Sequence, residues 1–221
     1  MSPRPFTADP TVMAAIRPMA INDAERVAHL HHAAMGQSTW AKLGKRFLRA
    51  VYTSLIGDHR FLGFVYEEAG TVRGFIAGSQ DTSAMMTAVF RRSWLALGMA
   101  ALPSVLDPRL WPALLGTSGY SEVSGSEGMA ESLFCSFEPA LRGKRISGHI
   151  NKVLFDELLA RGHRSVGVTT EVDNTGANRQ LQSWGFVDSA RFHFYGKPMV
   201  LYILDLQASD RVEPTRRHPA V

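Results

Sequence analysis

The stretch 130–162, AESLFCSFEPALRGKRISGHINKVLFDELLARG, makes three demands on the fold in succession. Residues 133–137 are short, apolar and β-compatible, and read as a buried strand. Glu138-Pro139 opens a loop, followed by a basic turn, Arg142-Gly143-Lys144-Arg145-Ile146-Ser147-Gly148. Then Ile146, Ile150, Val153, Leu154 and Leu158 recur at helical spacing, and Gly162 closes the pattern as a glycine just past the last turn. A strand feeding a turn feeding a helix leaves unpaired N–H groups at the helix start. With the helix dipole and three cations beside them, they form a phosphate site. The turn is neither a Walker loop nor a dinucleotide fingerprint, since the glycine spacing of both is absent.

The rest of the chain narrows the class. At 221 residues the chain allows one domain or at most two, with a sizeable core. A single cysteine, Cys135, rules out a disulfide framework and a cysteine-based zinc site. The start is polar and proline-rich without a signal-peptide core, and no run is long enough to span a membrane, so a cytoplasmic protein without stable membrane insertion is expected. The net charge of +4 suits an anionic small ligand. No basic helix with interleaved aromatics points to nucleic acid.

In chain order, residues 1–12 read as a flexible tail and 13–19 as a first strand. Asn22 and Glu25 open a helix carrying Val27, Leu30 and Ala34 on one face. His29, His31 and His32 on that helix lack carboxylate or cysteine partners, so a solvated face is expected rather than a metal site, with a substrate-lining histidine as the alternative. A second helix is expected over 39–55. Residues 61–66 and 72–79 form an antiparallel hairpin around Glu68-Ala69-Gly70-Thr71. The segment 81–128 reads as a helical insertion. Its helix 85–102 is stopped by Pro103, a short helix follows over 106–115, and 117–128 is a Gly/Ser-rich connection. Three uses are open for this apolar insertion: cover for a core face or a homodimer interface, which is favoured; a lid over an acceptor pocket; or contact with membrane or a lipid-linked acceptor. Residues 165–170 read as a strand, 175–184 as a helix stopped by Gly185, 186–195 and 199–206 as a closing hairpin, and 208–221 as a flexible tail.

The stretch 137–148 also resembles the acetyl-CoA-binding core of the GNAT N-acetyltransferase superfamily. There an apolar strand end and a proline precede the pattern Gln/Arg-x-x-Gly-x-Gly/Ala and a helix. Phe137-Glu138-Pro139 and Arg142 match, whereas Arg145 and Ser147 stand where small residues are usual. Downstream, Asn174-Thr175-Gly176-Ala177 resembles the family's N-x-x-A segment, with Gly185-Phe186 at the family's distance, eight residues after the alanine. The resemblance covers roughly 13–206. It implies an α/β (α+β) fold, with a mixed, mostly antiparallel sheet of about six to seven strands flanked by helices. The domain would be a single one over 13–207, and 81–128 would be an insertion before the cofactor strand.

What the resemblance implies for chemistry is acetyl transfer from acetyl-CoA, with no metal, to a primary amine of a small molecule such as an amino sugar or amino-acid derivative. Arg142, Gly143, Lys144, Arg145, Ile146, Ser147 and Gly148 would hold the pyrophosphate. Backbone groups of Cys135, Ser136 and Phe137 would face the thioester and pantetheine, and Asn174 the same arm. Glu131 is the first candidate for the base and Glu171 the second; Thr169 fills a third family position and cannot serve. Leu181 stands where many members have an acid tyrosine, which leaves Tyr195, Tyr202 or water. Residues 36–40 would lie near the acceptor. The competing reading is a non-catalytic CoA-binding regulatory or assembly module.

Overall fold

The computed structural model describes residues 6–36, 38–105, 128–194 and 196–213. The strands are β1 (Ile16–Pro18), β2 (Phe61–Glu68), β3 (Thr71–Ser79), β4 (Ala130–Phe137), β5 (Ser165–Glu171), β6 (Val187–Phe194) and β7 (Lys197–Asp205). They form one seven-stranded sheet in the order β1-β2-β3-β4-β5-β7-β6. Every neighbouring pair is antiparallel except β4 and β5. The sequence-derived expectation of a mixed, mostly antiparallel α/β fold holds.

Helices cover both faces. They are α1 (Pro10–Ala14), α2 (Ala24–Ala34), α3 (Thr39–Lys42), α4 (Gly44–Ile56), α5 (Thr82–Val105), α6 (Ile146–Ala160) and α7 (Thr175–Trp184). On one face α2 and α4 pack on β2, β3 and β4, and α5 packs on α4. The buried row Phe47, Leu48, Val51, Tyr52 and Leu55 of α4 meets Val65, Phe75 and Ala77 there. On the other face α6 lays Ile146, Ile150, Leu154, Phe155 and Leu158 against Leu62, Ile76, Ala130, Val166 and Leu204. Alternation along β2, with Val65 in one cluster and Tyr66 in the other, is the period of two that a sheet buried on both faces requires.

Several boundaries differ from the expected ones. The stretch read as strand 13–19 is α1 followed by the three-residue β1. Asp9 accepts from the amides of Thr11 and Val12, and Pro10 sits at the first helical position, which together start a helix. The helix expected over 39–55 is two helices, separated at Gly44, whose φ is +90°. Helix α5 starts at Thr82, kinks at Ser93 and runs through Pro103. Residues 106–127, including the expected short helix and most of the expected connection, lie outside the described residues. The hairpin turn has positive φ at Ala69 (51°) and Gly70 (73°), the two-residue primed geometry that suits strand twist.

The described parts of both tails are packed rather than loose. Phe6 lies against the rings of His149 and Trp184, and the Asp9 amide donates to His149 Nε2 at 2.9 Å. At the other end Val212 is buried, the Glu213 amide donates to Asp156, and Lys152 donates to the Arg211 carbonyl. Both tails therefore cross the outer side of α6.

Candidate functional site: a split between β4 and β5

Strand β4 begins at Ala130, three residues earlier than its apolar run suggested, because Ala130, Glu131 and Ser132 are buried in the middle of the sheet. It pairs with β5 only through Ala130–Val166 and Glu131–Gly167. Past these two pairs β4 continues to Phe137 and β5 to Glu171 without pairing to each other, so each presents an open edge to a gap. A β-bulge against Ala77/Gly78 falls within β4 just where the gap begins. It brings both Leu133 and Phe134 onto the α2/α4 face.

The backbone direction at the gap follows from the ladder. The Glu138 amide donates to the Arg73 carbonyl at 2.8 Å. In an antiparallel pair the N–H groups alternate sides. Ser136 therefore turns its amide to β3, while Cys135 and Phe137 turn theirs into the gap. Of the three residues expected to offer free strand amides, two do so. Ser136 instead anchors α2, its Oγ donating to the Leu30 carbonyl at 3.3 Å. The strand end is held by Glu138, which pairs with Arg26 and lies 3.9 Å from Arg73. Phe137 lies across Gly74, where an added Cβ would come within 2.1 Å of its ring.

Beyond β4, a 3-10 turn (Pro139–Leu141) leads into the basic turn. Gly143 has φ +81° and Arg145 φ +59°. Arg145 thus takes up the left-handed conformation that glycine adopts freely. Its side chain is exposed, as are those of Arg142 and Lys144, and none of the three makes an ion pair among the described residues. The amides of Gly143, Arg145, Ile146 and Ser147 have no acceptor among the described residues, whereas Gly148 donates to the Arg145 carbonyl at 3.0 Å. Free amides at the head of a 15-residue helix, with three exposed cations beside them, have the chemistry that suits an anion.

Glu131 is 1% exposed, at the apex of the split, opposite Ser79 and Gly167. Ala130 faces α6, so Glu131 faces the α2 side. It is not a solvated strand-end carboxylate. Glu171, the second candidate base, ends β5 in an ion pair with Lys197. Thr169 Oγ1 is buried without a hydrogen bond among the described residues. Burial pushes the half-buried Cys135 thiol up to about 12, so it is no thiolate nucleophile. Asn174 uses its Oδ1 to cap α7, accepting from the Ala177 amide at 3.2 Å. Leu181 and Tyr202 are core residues, and Tyr195 lies outside the described residues.

On the α2 side the expectation of solvated histidines fails for His31, which is fully buried. Its Nδ1 is 2.7 Å from Tyr52 Oη, and its ring packs on Phe75 and Phe134. Burial, with His32 nearby, pushes it down to about 4, so it is neutral at physiological pH. Trp40 packs on Phe134 at 5.5 Å between centroids. The stretch expected near the acceptor thus meets β4 just past the bulge. Among the described residues no group of three His, Cys, Asp or Glu side chains could hold a metal ion, and no helix is long and apolar enough to cross a membrane.

Two functional-site neighbours were not singled out from sequence. Asn178 donates to the Val172 carbonyl at 2.9 Å, tying α7 to the end of β5. His149, buried, touches the carbonyl of Arg145. Neither has a sequence signal, because each acts through a partner set by the tertiary fold.

No protein-family model matches the sequence, and no curated protein matches it. Solved structures do. An acetyltransferase aligns over 86% of this chain and 98% of its own, with 20% identity and a TM-score of 0.57. The ribosomal-protein-S18-alanine N-acetyltransferase from Escherichia coli aligns over 86% and 92%, with 13% identity and a TM-score of 0.56. Mutant forms of the spermidine/spermine N-acetyltransferase from Vibrio cholerae align over 87% and 94%, with 13% identity and a TM-score of 0.52.

Proposed function

We propose that this chain, which has the GNAT acetyltransferase fold, moves an acetyl group from acetyl-CoA to a primary amine of a small molecule. One observation carries the reading: the split between β4 and β5 opens onto the left-handed basic turn at the head of α6. An extended pantetheine arm suits open strand edges, as an added strand would, and a pyrophosphate suits the turn. The fit is chemical as well as spatial, with outward amides at Cys135 and Phe137 and free amides with three cations at the turn.

The two ends of such a ligand have separate needs. Gly143, Arg145, Ile146 and Ser147 would hold the anionic end through their amides, and Arg142, Lys144 and Arg145 would neutralise it. The amide of Cys135 or Phe137 would stabilise the oxyanion as the amine nitrogen attacks the thioester carbonyl. The C–S bond then breaks and the thiolate leaves. With a thiol pKa near 8.5 it needs no strong acid, which suits a chain with Leu181 in the usual tyrosine position. An amine of pKa about 10 must lose a proton first, and buried Glu131 at the apex is the base we assign. The aromatic group His31, Trp40 and Phe134 favours an acceptor with an apolar or ring portion, such as an amino sugar or amino-acid derivative. Two of the similar structures are named for N-acetylation of an alanine and of polyamines, which supports an amine acceptor.

We also infer that the chain pairs with a second copy through α5. Trp94, Leu95, Met99 and Leu102 are more than half exposed, and residues 93–105 carry no charge. Trp94 and Leu102 flank Gly98 symmetrically, so an antiparallel pair crossing at Gly98 is self-complementary. It also keeps Arg91 and Arg92 of the two copies at opposite ends.

The test is titration calorimetry with acetyl-CoA followed by an amine panel. Wild type should bind and turn over. Lys144→Glu/Arg145→Glu should weaken binding, and Glu131→Gln should bind while losing at least about a hundredfold in turnover. Binding without turnover of any amine would leave the non-catalytic module as the better reading. No binding would remove both.

A further inference from the structure

Arg145 is one of two non-glycine residues with positive φ among the described residues, and the other, Ala69, sits in a hairpin turn. An L-residue in this region pays for the contact between its Cβ and backbone, and holds the conformation only when its surroundings impose it. At Arg145 the surroundings are specific. His149, one helical turn on, directs Nδ1 at the Arg145 carbonyl at 2.9 Å. The same imidazole takes the Asp9 amide on Nε2, also at 2.9 Å. Since a backbone amide can only donate, Nε2 is the bare nitrogen and Nδ1 carries the proton, so His149 donates to Arg145. The ring is buried and fixed by the edge of Phe6 at 5.0 Å. Phe6 also closes over Gly148, where an added Cβ would lie 2.8 Å from its ring. A chain of contacts therefore runs from the N-terminal segment, through one imidazole, to the strained residue of the anion-binding turn.

We propose that His149 is a positioning residue for this turn. It holds Arg145 left-handed, so that the amides of Gly143, Arg145, Ile146 and Ser147 converge, and the Asp9 amide holds His149 in the tautomer that can do so. The inference rests on the reading of the turn as the CoA pyrophosphate site. It goes beyond that reading by making the N-terminal segment part of the site's affinity. Without His149, the turn must supply the left-handed conformation from its own free energy each time a ligand binds.

The probes are CoA and inorganic pyrophosphate, titrated by calorimetry into the 221-residue chain. His149→Ala should weaken both by about tenfold, the equilibrium equivalent of one left-handed residue. Arg145→Gly removes the strain, so adding His149→Ala to it should cost less than about threefold. A merely structural loss would be the same in both backgrounds, and that result would overturn the proposal. Asp9→Pro deletes the amide donor at a position whose φ of −82° a proline can adopt, while Asp9→Ala deletes only the α1 cap. Asp9→Pro should follow His149→Ala, and Asp9→Ala should bind like wild type; equal behaviour of the two Asp9 variants would also overturn it. Amide exchange in the ligand-free protein reads the same coupling without a ligand. Both His149→Ala and Asp9→Pro should speed exchange at Gly148, and an unchanged rate would refute the positioning role. Failure of wild type to bind either probe, with the exchange result intact, would refute the CoA reading alone.

Discussion

The buried His31 makes the protein's acid stability a test of its core. In the folded chain burial pushes His31 from 6.5 down to about 4. Between those values the unfolded chain binds a proton that the folded chain does not, so acid favours unfolding. The contribution is complete above pH 6.5, is lost progressively as pH falls to about 4, and changes no further below that. Two and a half pKa units amount to about 3 kcal/mol, with a slope of at most 1.4 kcal/mol per pH unit. His31→Gln keeps an acceptor for Tyr52 but does not titrate. Urea unfolding of both proteins from pH 3.5 to 8 gives the difference directly, and other titrating groups such as His163 cancel in it. The wild type should lose about 3 kcal/mol relative to the variant across pH 6.5 to 4. A difference constant within about 0.5 kcal/mol would refute the burial argument, as would an imidazole resonance of His31 titrating near its ordinary value.

Two further outcomes are expected. Cys135→Ser should retain turnover within a few-fold, because a thiol held near 12 takes no part as a nucleophile; loss of activity in a folded variant would place the sulfur in the reaction. Trp94→Glu should shift the protein from dimer to monomer in sedimentation at micromolar concentration while the monomer stays folded, since the side chain is 66% exposed in the single chain. A monomeric wild type would refute the α5 pairing.

The strand, turn and helix around residues 133–158 were legible because each element carries its own local signal: an apolar run, a basic glycine turn, a helical row of Ile and Leu. The hairpin at Ala69-Gly70 was legible for the same reason. The start of β4 was not, because Glu131 and Ser132 look like solvated residues and are buried only by pairing with strands distant in sequence. The solvated face expected for the α2 histidines failed at His31 because its partner, Tyr52, comes from another helix. Arg145 stands where the motif usually has a small residue. The backbone angle is retained there by a hydrogen bond from the next helical turn, which no motif encodes. The α1 helix, by contrast, was legible and missed: Asp9 and Pro10 are a helix start written in order.

Two residue pairs are a thin seam for a seven-stranded sheet. Local opening follows contiguous ladders, so β1–β4 and β5–β7 are expected to behave as two blocks on either side of the seam. What couples the blocks is chiefly α6, which touches strands on both sides of the seam, together with α7 leaning on it through Trp184 and Phe155. The β5–β7 block therefore leans on a helix whose outer side is touched by residues 6–9 and 211–213. Anything that bonds to the open edges of β4 and β5 closes the seam, and its binding energy is then spread over strands it never touches.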